Sequence, residues 1–273
     1  MLRMVIFVVV FVAVWGGGHA YAGWTLTRHG DPSRAWRVAI WTLLGLNFAV
    51  STAAFAGRRL DGTGPIFDVL QYSAYVGMGA FAMLFGMLVI RDVIELVLVG
   101  GNKAFAFASD AQTADRADSP ERREFFGQIA NVGMLGAAVT GASVGYWQAK
   151  RLPGIKRVDV PVEGLHPDLD GFKIAQVSDV HVGPTISGDF LRGIVEKVNT
   201  LDADVVALTG DLVDGYVDDK RDETKHIGDF EARYGSYFVT GNHEYYWDAP
   251  AWCAEVERCG MRVLNNANEF VEH

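Results

Sequence analysis

The sequence predicts two structural classes in one chain: an N-terminal all-α transmembrane region of about four helices over residues 1–150, and a water-soluble α/β domain over residues 151–273. Three observations carry this prediction. Four long uncharged runs lie in the first part and none in the second. Charge divides the same way, since residues 1–150 hold 12 Lys/Arg and 10 Asp/Glu while residues 151–273 hold 12 and 23, a net of +2 against −11. From residue 155 onward the apolar pattern also changes, from long runs to short strand-like blocks separated by stretches with helical spacing. These features exclude a single soluble globule, a disordered chain and a disulfide-built secreted domain. The acidic half also argues against nucleic acid as a partner, because it would repel a phosphate backbone unless metals intervene.

The uncharged runs span residues 4–27, 38–56, 69–90 and 125–149, each of 19 residues or more. Such a length lets a helix cross a hydrocarbon core of roughly 30 Å. Arg91, Asp92 and Glu95 follow the third run, so that helix is expected to continue past the interface. The first run, with Arg3 before it and Ala20, Tyr21 and Ala22 near its end, also resembles a cleavable signal peptide. Its length favours a retained helix. Before the fourth run stand Arg122 and Arg123, followed by Glu124, Phe125 and Phe126. This resembles a twin-arginine export signal, and two interfacial arginines stopping a helix would look the same. Ala137, Gly141 and Gly145 form a small-residue spacing suited to helix packing.

Arg28, Arg34, Arg37, Lys103, Arg116, Arg122 and Arg123 fall in the first and third loops, which the positive-inside rule places in the cytoplasm. Four crossings then put the soluble domain on the outer (periplasmic) face of the cell membrane, although Lys150, Arg151, Lys156 and Arg157 weigh against it. Residues 102–121 read as a polar, mobile loop. Cys253 and Cys259 are the only cysteines. On one helix they would lie about 240° apart, which argues against a bridge between them.

In the soluble part, residues 158–162 and 172–177 read as strands, and residues 190–198 have helical spacing. Residues 205–209 are a buried strand, and residues 227–233 end a helix. Residues 237–240 are a further strand and residues 251–258 a further helix. Such alternation indicates an α/β domain built on a central sheet.

Three of these strands finish in polar clusters: Ser178, Asp179, Val180 and His181; then Gly210 and Asp211; then Gly241, Asn242, His243 and Glu244. Ligands of open α/β sheets collect at the carboxyl ends of strands. Asp179 and His181 are two residues apart, so in an extended segment both side chains project to one face as half of a divalent-metal site. Asp211 has two carboxylate oxygens and can bridge two ions, while Asn242 offers a neutral carbonyl oxygen. His243 can hydrogen-bond or donate a proton instead of coordinating. Gly210 and Gly241 allow sharp turns at the strand ends. Singly, each cluster is equally an ordinary turn or a helix cap. Three in order within 66 residues are harder to dismiss.

Together these motifs resemble the first three motifs of the calcineurin-like metallophosphoesterases, and more closely their bacterial membrane-anchored, twin-arginine-exported phosphodiesterase branch. The resemblance covers about residues 155–273. It implies a β-sandwich flanked by helices and two divalent metal ions, for which Mn, Fe and Zn suit the mixed N/O ligands comparably well. By this resemblance Asp179 and His181 bind one metal, Asp211 bridges both, Asn242 binds the second, and His243 protonates the leaving oxygen with its neighbouring acid orienting it. The implied activity is hydrolysis of phosphodiester or pyrophosphate bonds through a metal-bridging hydroxide, as dimetal sites make hydroxide near neutral pH. Lipid-linked phosphate esters are among the implied substrates, since a membrane anchor holds the site near the bilayer.

The family's later motifs, including a Gly-His-x-His, have no counterpart here, because the only histidine after His243 is His273. Residues 269–272 read as strand-like, so the α/β domain is expected to be incomplete at its C-terminus. The 273-residue chain alone is then expected to be weak or inactive, with an open sheet edge. Two further readings stand beside the leading one: a phosphomonoesterase or nucleotidase on the same scaffold, and a degenerate, non-enzymatic membrane scaffold. Tyr245, Tyr246, Trp247 and Trp252 beside the third motif are core, a membrane-facing lip or a substrate stack.

Overall fold

The computed structural model describes residues 2–28, 32–59, 64–109 and 120–271. The chain divides into two compact units, Met1–Gln148 and Ala149–His273, and each is described by itself.

Among the described residues the regular structure of the first unit is helical: α1 (Leu2–Thr27), α2 (Arg34–Arg59), α3 (Pro65–Ser109) and α4 (Pro120–Ala149). Long runs without Pro, dominated by Val, Leu, Ala, Phe and Met, extend helices easily once their backbone bonds are closed internally. Ala22, Leu26, Ile40, Leu44, Phe81, Leu84, Leu88 and Ala138 form a shared interior. Outside it, large apolar side chains such as Val14, Leu43, Leu98 and Val139 are exposed. Among the described residues two helical segments, Arg34–Gly57 and Glu124–Ala149, are long and apolar enough to cross a membrane, where four crossings were expected. Of residues 102–121, expected as a loop, 102–109 continue α3 and 110–119 lie outside the described residues. Arg122 and Arg123 fall in the first turn of α4, and their side chains lie outside the described residues.

Several polar groups inside this unit are matched with one another. Tyr21 Oη donates to Asp92 Oδ2 at 2.8 Å, and Arg28 Nη2 meets the same oxygen at 3.0 Å. Arg91 Nη1 donates to Asn131 Oδ1 at 2.6 Å. The ring nitrogens of the buried His19 lie 2.8 Å from Trp15 O and 3.0 Å from Asn47 Oδ1.

The second unit runs β1 (Ile174–Val177), α5 (Gly188–Asn199), β2 (Val205–Thr209), α6 (Val217–Thr224), β3 (Ser236–Val239), α7 (Asn242–Tyr246), α8 (Ala249–Arg258) and β4 (Arg262–Val263). The strands form one parallel sheet in the order β1-β2-β3-β4. Such pairing needs a crossover between neighbours, which the intervening helices supply. Along β2, Val206 and Leu208 are buried while their neighbours are half-buried, the period-2 signature of a sheet with one face on a core. That face packs on Leu191, Ile194, Val195 and Val198 of α5 and on Trp252 and Val256 of α8.

Four expectations are corrected. Residues 158–162 form no strand, and Val158, Val160 and Val162 are 67%, 73% and 55% exposed. Their alternation suits a strand, but within the described residues no neighbouring strand offers them a ladder. For the same reason the described residues hold one four-stranded sheet and not the two layers of a sandwich. Residues 227–233, expected to end a helix, begin as a short 3-10 turn (Lys225–Asp229) and continue without regular structure, and residues 269–271 are not strand. Cys253 lies on α8 and Cys259 caps it; both are free thiols.

Candidate metal centre

Because β1, β2 and β3 are parallel neighbours, their carboxyl ends emerge side by side, and the loops after them are laced together. Asp179 N donates to Gly210 O at 3.2 Å, His181 N to Asp211 O at 3.0 Å and Val182 N to Leu212 O at 2.8 Å. Asp214 N returns to Val182 O at 2.8 Å. The second and third loops are joined by Glu244, whose side chain is fully buried. Its Oε2 accepts from Asp211 N at 3.0 Å and Gly241 N at 2.7 Å, and its Oε1 accepts from Leu212 N at 2.8 Å. A buried carboxylate is costly unless its lone pairs are filled, and three backbone N–H groups fill them here.

Two glycines are required for this approach. Gly210 has φ +80°, and its α-carbon faces the Gly241 backbone so closely that any side chain would collide with it. A side chain on Gly241 would meet the Asp211 carboxylate. The site also concentrates backbone strain, because Asp179, His181 and Asp211 all adopt left-handed φ of 57°, 53° and 52°. Non-glycine residues there are uncommon, and they cluster where the surrounding structure holds them for a function.

The result brings His181, Asp211 and His243 together, with one ligand atom of each lying within 4.8 Å of the others. Asp179 Oδ1 and Asp211 Oδ2 stand 3.9 Å and 4.0 Å from His181 Nε2. The Asp211 carboxylate also accepts from His243 N at 2.8 Å, which fixes its orientation. Asn242 begins α7, one residue from His243, and is exposed.

Sequence reasoning missed Asp214. Its Oδ1 lies 2.5 Å from His243 Nδ1, and its Oδ2 lies 3.8 Å from His181 Nδ1. The acid beside His243 in sequence, Glu244, points away into the loops and does not orient the imidazole. The available signal was the spacing of Asp211 and Asp214, three apart on the loop after a buried strand. Around the histidines, the His181 and His243 rings meet edge-to-face at 4.3 Å, and Tyr246 packs on His243 at 5.3 Å. Trp252 is fully buried core, with Nε1 donating to Gly215 O at 3.0 Å, whereas Tyr245 and Tyr246 are 69% and 66% exposed.

The carboxylates of Asp179, Asp211 and Asp214 surround His181 and His243, and like charges so placed repel one another unless a cation or protons intervene. The donor set, mixed oxygen and nitrogen, suits a divalent transition metal. His181 Nδ1 is buried and has no hydrogen-bond partner, an orphan of the kind found in sites that hold something further.

Residues 172–272 match the family model of the calcineurin-like phosphoesterases. Among curated relatives, a transmembrane protein with metallophosphoesterase domain from Danio rerio is 38% identical over 131 residues, 48% of this chain and 30% of the relative. Its Bos taurus counterpart is 39% identical over 126 residues, 46% and 28% respectively. The UDP-2,3-diacylglucosamine pyrophosphatase LpxG of Chlamydia trachomatis is 29% identical over 105 residues, 36% of this chain and 31% of that protein. The chain thus spans less than a third of each of these relatives. No solved structure gives a significant match.

Proposed function

We propose that this chain, whose residues 172–272 match the family model of the calcineurin-like phosphoesterases, is a metal-dependent hydrolase of phosphoesters, with phosphodiesters or pyrophosphates as substrates. The observation that carries this is the convergence of His181, Asp211 and His243 at the ends of adjacent parallel strands. In this reading Asp179, His181, Asp211 and Asn242 hold two divalent ions, Mn, Fe or Zn. When bound, such ions offset the charge of phosphate oxygens and lower the pKa of water.

The chain's own residues do the rest. Asp211 is fixed by the His243 N–H and by the Glu244 staple on its own backbone, so a ligand carboxylate is held before any ion arrives. Asp214 accepts the Nδ1 proton of His243, which leaves Nε2 as the nitrogen that meets the substrate. Protonated there, His243 gives its proton to the departing oxygen, and the Asp214 carboxylate stabilises the imidazolium that precedes transfer. The apolar helices α2 and α4, and relatives named as transmembrane proteins, support membrane anchoring. The finer reading, of four crossings with the domain on the outer face, rests on the charge pattern of the loops. The name of the Chlamydia relative supports lipid-linked pyrophosphates as one substrate class.

The test is Mn²⁺ binding by the full chain in detergent, measured calorimetrically, together with hydrolysis of bis(p-nitrophenyl) phosphate. Asp211→Asn should lose about tenfold or more in metal affinity and the hydrolysis with it. Unchanged Mn²⁺ affinity in that variant would overturn the proposal.

A further inference from the structure

We propose that the cleft between α6 and α8 is the leaving-group subsite of this centre, and that it selects a leaving group that is flat or apolar beside the scissile bond and anionic at its far end. The proposal rests on the hydrolytic reading above and adds which phosphoesters fit.

The cleft encloses about 430 Å³. Its near end is built by the two loops that hold the acid pair of the centre. Tyr216 follows Asp214 by two residues, and Trp247 lies one helical turn beyond His243, its N–H bonded to His243 O at 3.2 Å. Their rings meet edge-to-face at 5.2 Å and form one aromatic wall, of which Tyr216 is half exposed. Tyr246, the residue before Trp247, packs its ring on that of His243 at 5.3 Å. In this assignment a group departing from His243 moves toward Tyr216 and Trp247. Exposed aromatic faces of this kind stack on planar or apolar groups.

The far end is of a different chemistry. Glu255, whose side chain is 3% exposed, accepts from Arg258 Nε at 2.9 Å and Nη2 at 2.5 Å, and Arg221 Nε stands 3.3 Å from its Oε2. Both guanidinium groups line the cleft and are held by this buried carboxylate. The two terminal nitrogens of Arg221 and Nη1 of Arg258 are not used by Glu255. Donors fixed in advance lose little freedom when an oxyanion arrives, and their fork suits phosphate or carboxylate. Asp218 and Asp248 also line the cleft, so it is not a positive field, and recognition is directional. The Asp248 carboxylate is engaged in capping α8 through Ala251 N at 3.1 Å.

The experiment titrates the full chain in detergent, with EDTA present, against AMP, adenosine and inorganic phosphate by calorimetry. AMP serves as a probe that joins a planar ring to a dianion. AMP is expected to bind saturably and about tenfold or more tightly than either part. Arg221→Gln should weaken AMP binding about tenfold or more, and Tyr216→Ala should weaken AMP and adenosine together while sparing phosphate. Mn²⁺ binding by each variant without EDTA reports that the neighbouring loops are intact. AMP that binds no better than its parts, or equally well to both variants, would overturn the assignment. AMP binding by a wild-type chain that takes no Mn²⁺ would sink the metal reading and leave the cleft assignment standing.

Discussion

Asp214 and Glu244 show how much depends on which acid touches which group. In sequence Glu244 is the neighbour of His243, yet the geometry gives that role to Asp214, 2.5 Å from Nδ1. The reason is local. His243 and Glu244 are consecutive in α7, so their side chains leave the helix about 100° apart. Glu244 turns inward to three backbone N–H groups, and His243 turns outward to the loop after β2. Glu244 therefore holds the scaffold, and Asp214 is the acid placed against His243. Asp214→Asn keeps the shape but exchanges an anion for an amide, removing the charge that would stabilise an imidazolium in the proposed mechanism. Its turnover is expected to fall by about 10²–10⁴-fold, with Mn²⁺ affinity within a few-fold of wild type. A matched pair of pH–rate profile and metal titration decides it, and equal loss of both quantities would make Asp214 a ligand instead.

At the scale of elements, legibility followed the availability of partners. The strand read from residues 205–209 coincides with β2, because a central parallel strand is apolar on both sides and bounded by turns. The helix read from residues 190–198 sits inside α5, whose Leu191, Ile194, Val195 and Val198 recur at helical spacing. The segment 158–162 has an equally clear alternation and forms no strand, since period-2 patterning marks the ability to pair and does not supply the partner. The candidate site residues Asp179, His181, Asp211, Asn242 and His243 stood out because each lies within four residues of the end of a strand. The Arg221–Glu255–Arg258 cluster did not, because it joins two helices far apart in sequence, and nothing in either helix alone announces it.

That cluster has its own signature. The hydrogen bonds from Arg258, then its charge and that of Arg221, hold the Glu255 carboxyl below the usual carboxylate range against the opposing effect of burial. A carboxyl depressed in the folded state contributes stability that is present above its unfolded pKa and is lost as pH falls through its folded value. Glu255→Gln should therefore be less stable than wild type at neutral pH, with the difference shrinking as pH falls from about 5 toward 3. Denaturant unfolding of both proteins across that range checks it, and a difference that grows on acidification would contradict the assigned cause.

For the whole molecule the governing fact is that two compact units have separate interiors and opposite solvent preferences. One buries Leu26, Phe81 and Leu88 among helices that leave many apolar side chains exposed, and the other buries Val206, Leu208 and Phe238 beneath an acidic surface. The candidate metal ligands all belong to the second. A ligand that binds only the native state stabilises the unit that carries its site, by about 2.7 kcal/mol at a concentration one hundred times its dissociation constant. Mn²⁺ should then raise the thermal transition of the sheet-containing unit and leave that of the helical unit where it was. EDTA should reverse the shift, and Asp211→Asn should abolish it. Hydrogen exchange read separately for peptides of each unit during unfolding in detergent separates the two transitions. If both moved together with Mn²⁺, the two units would be one cooperative body. If neither moved, the three converging side chains would not be a cation site in the folded protein.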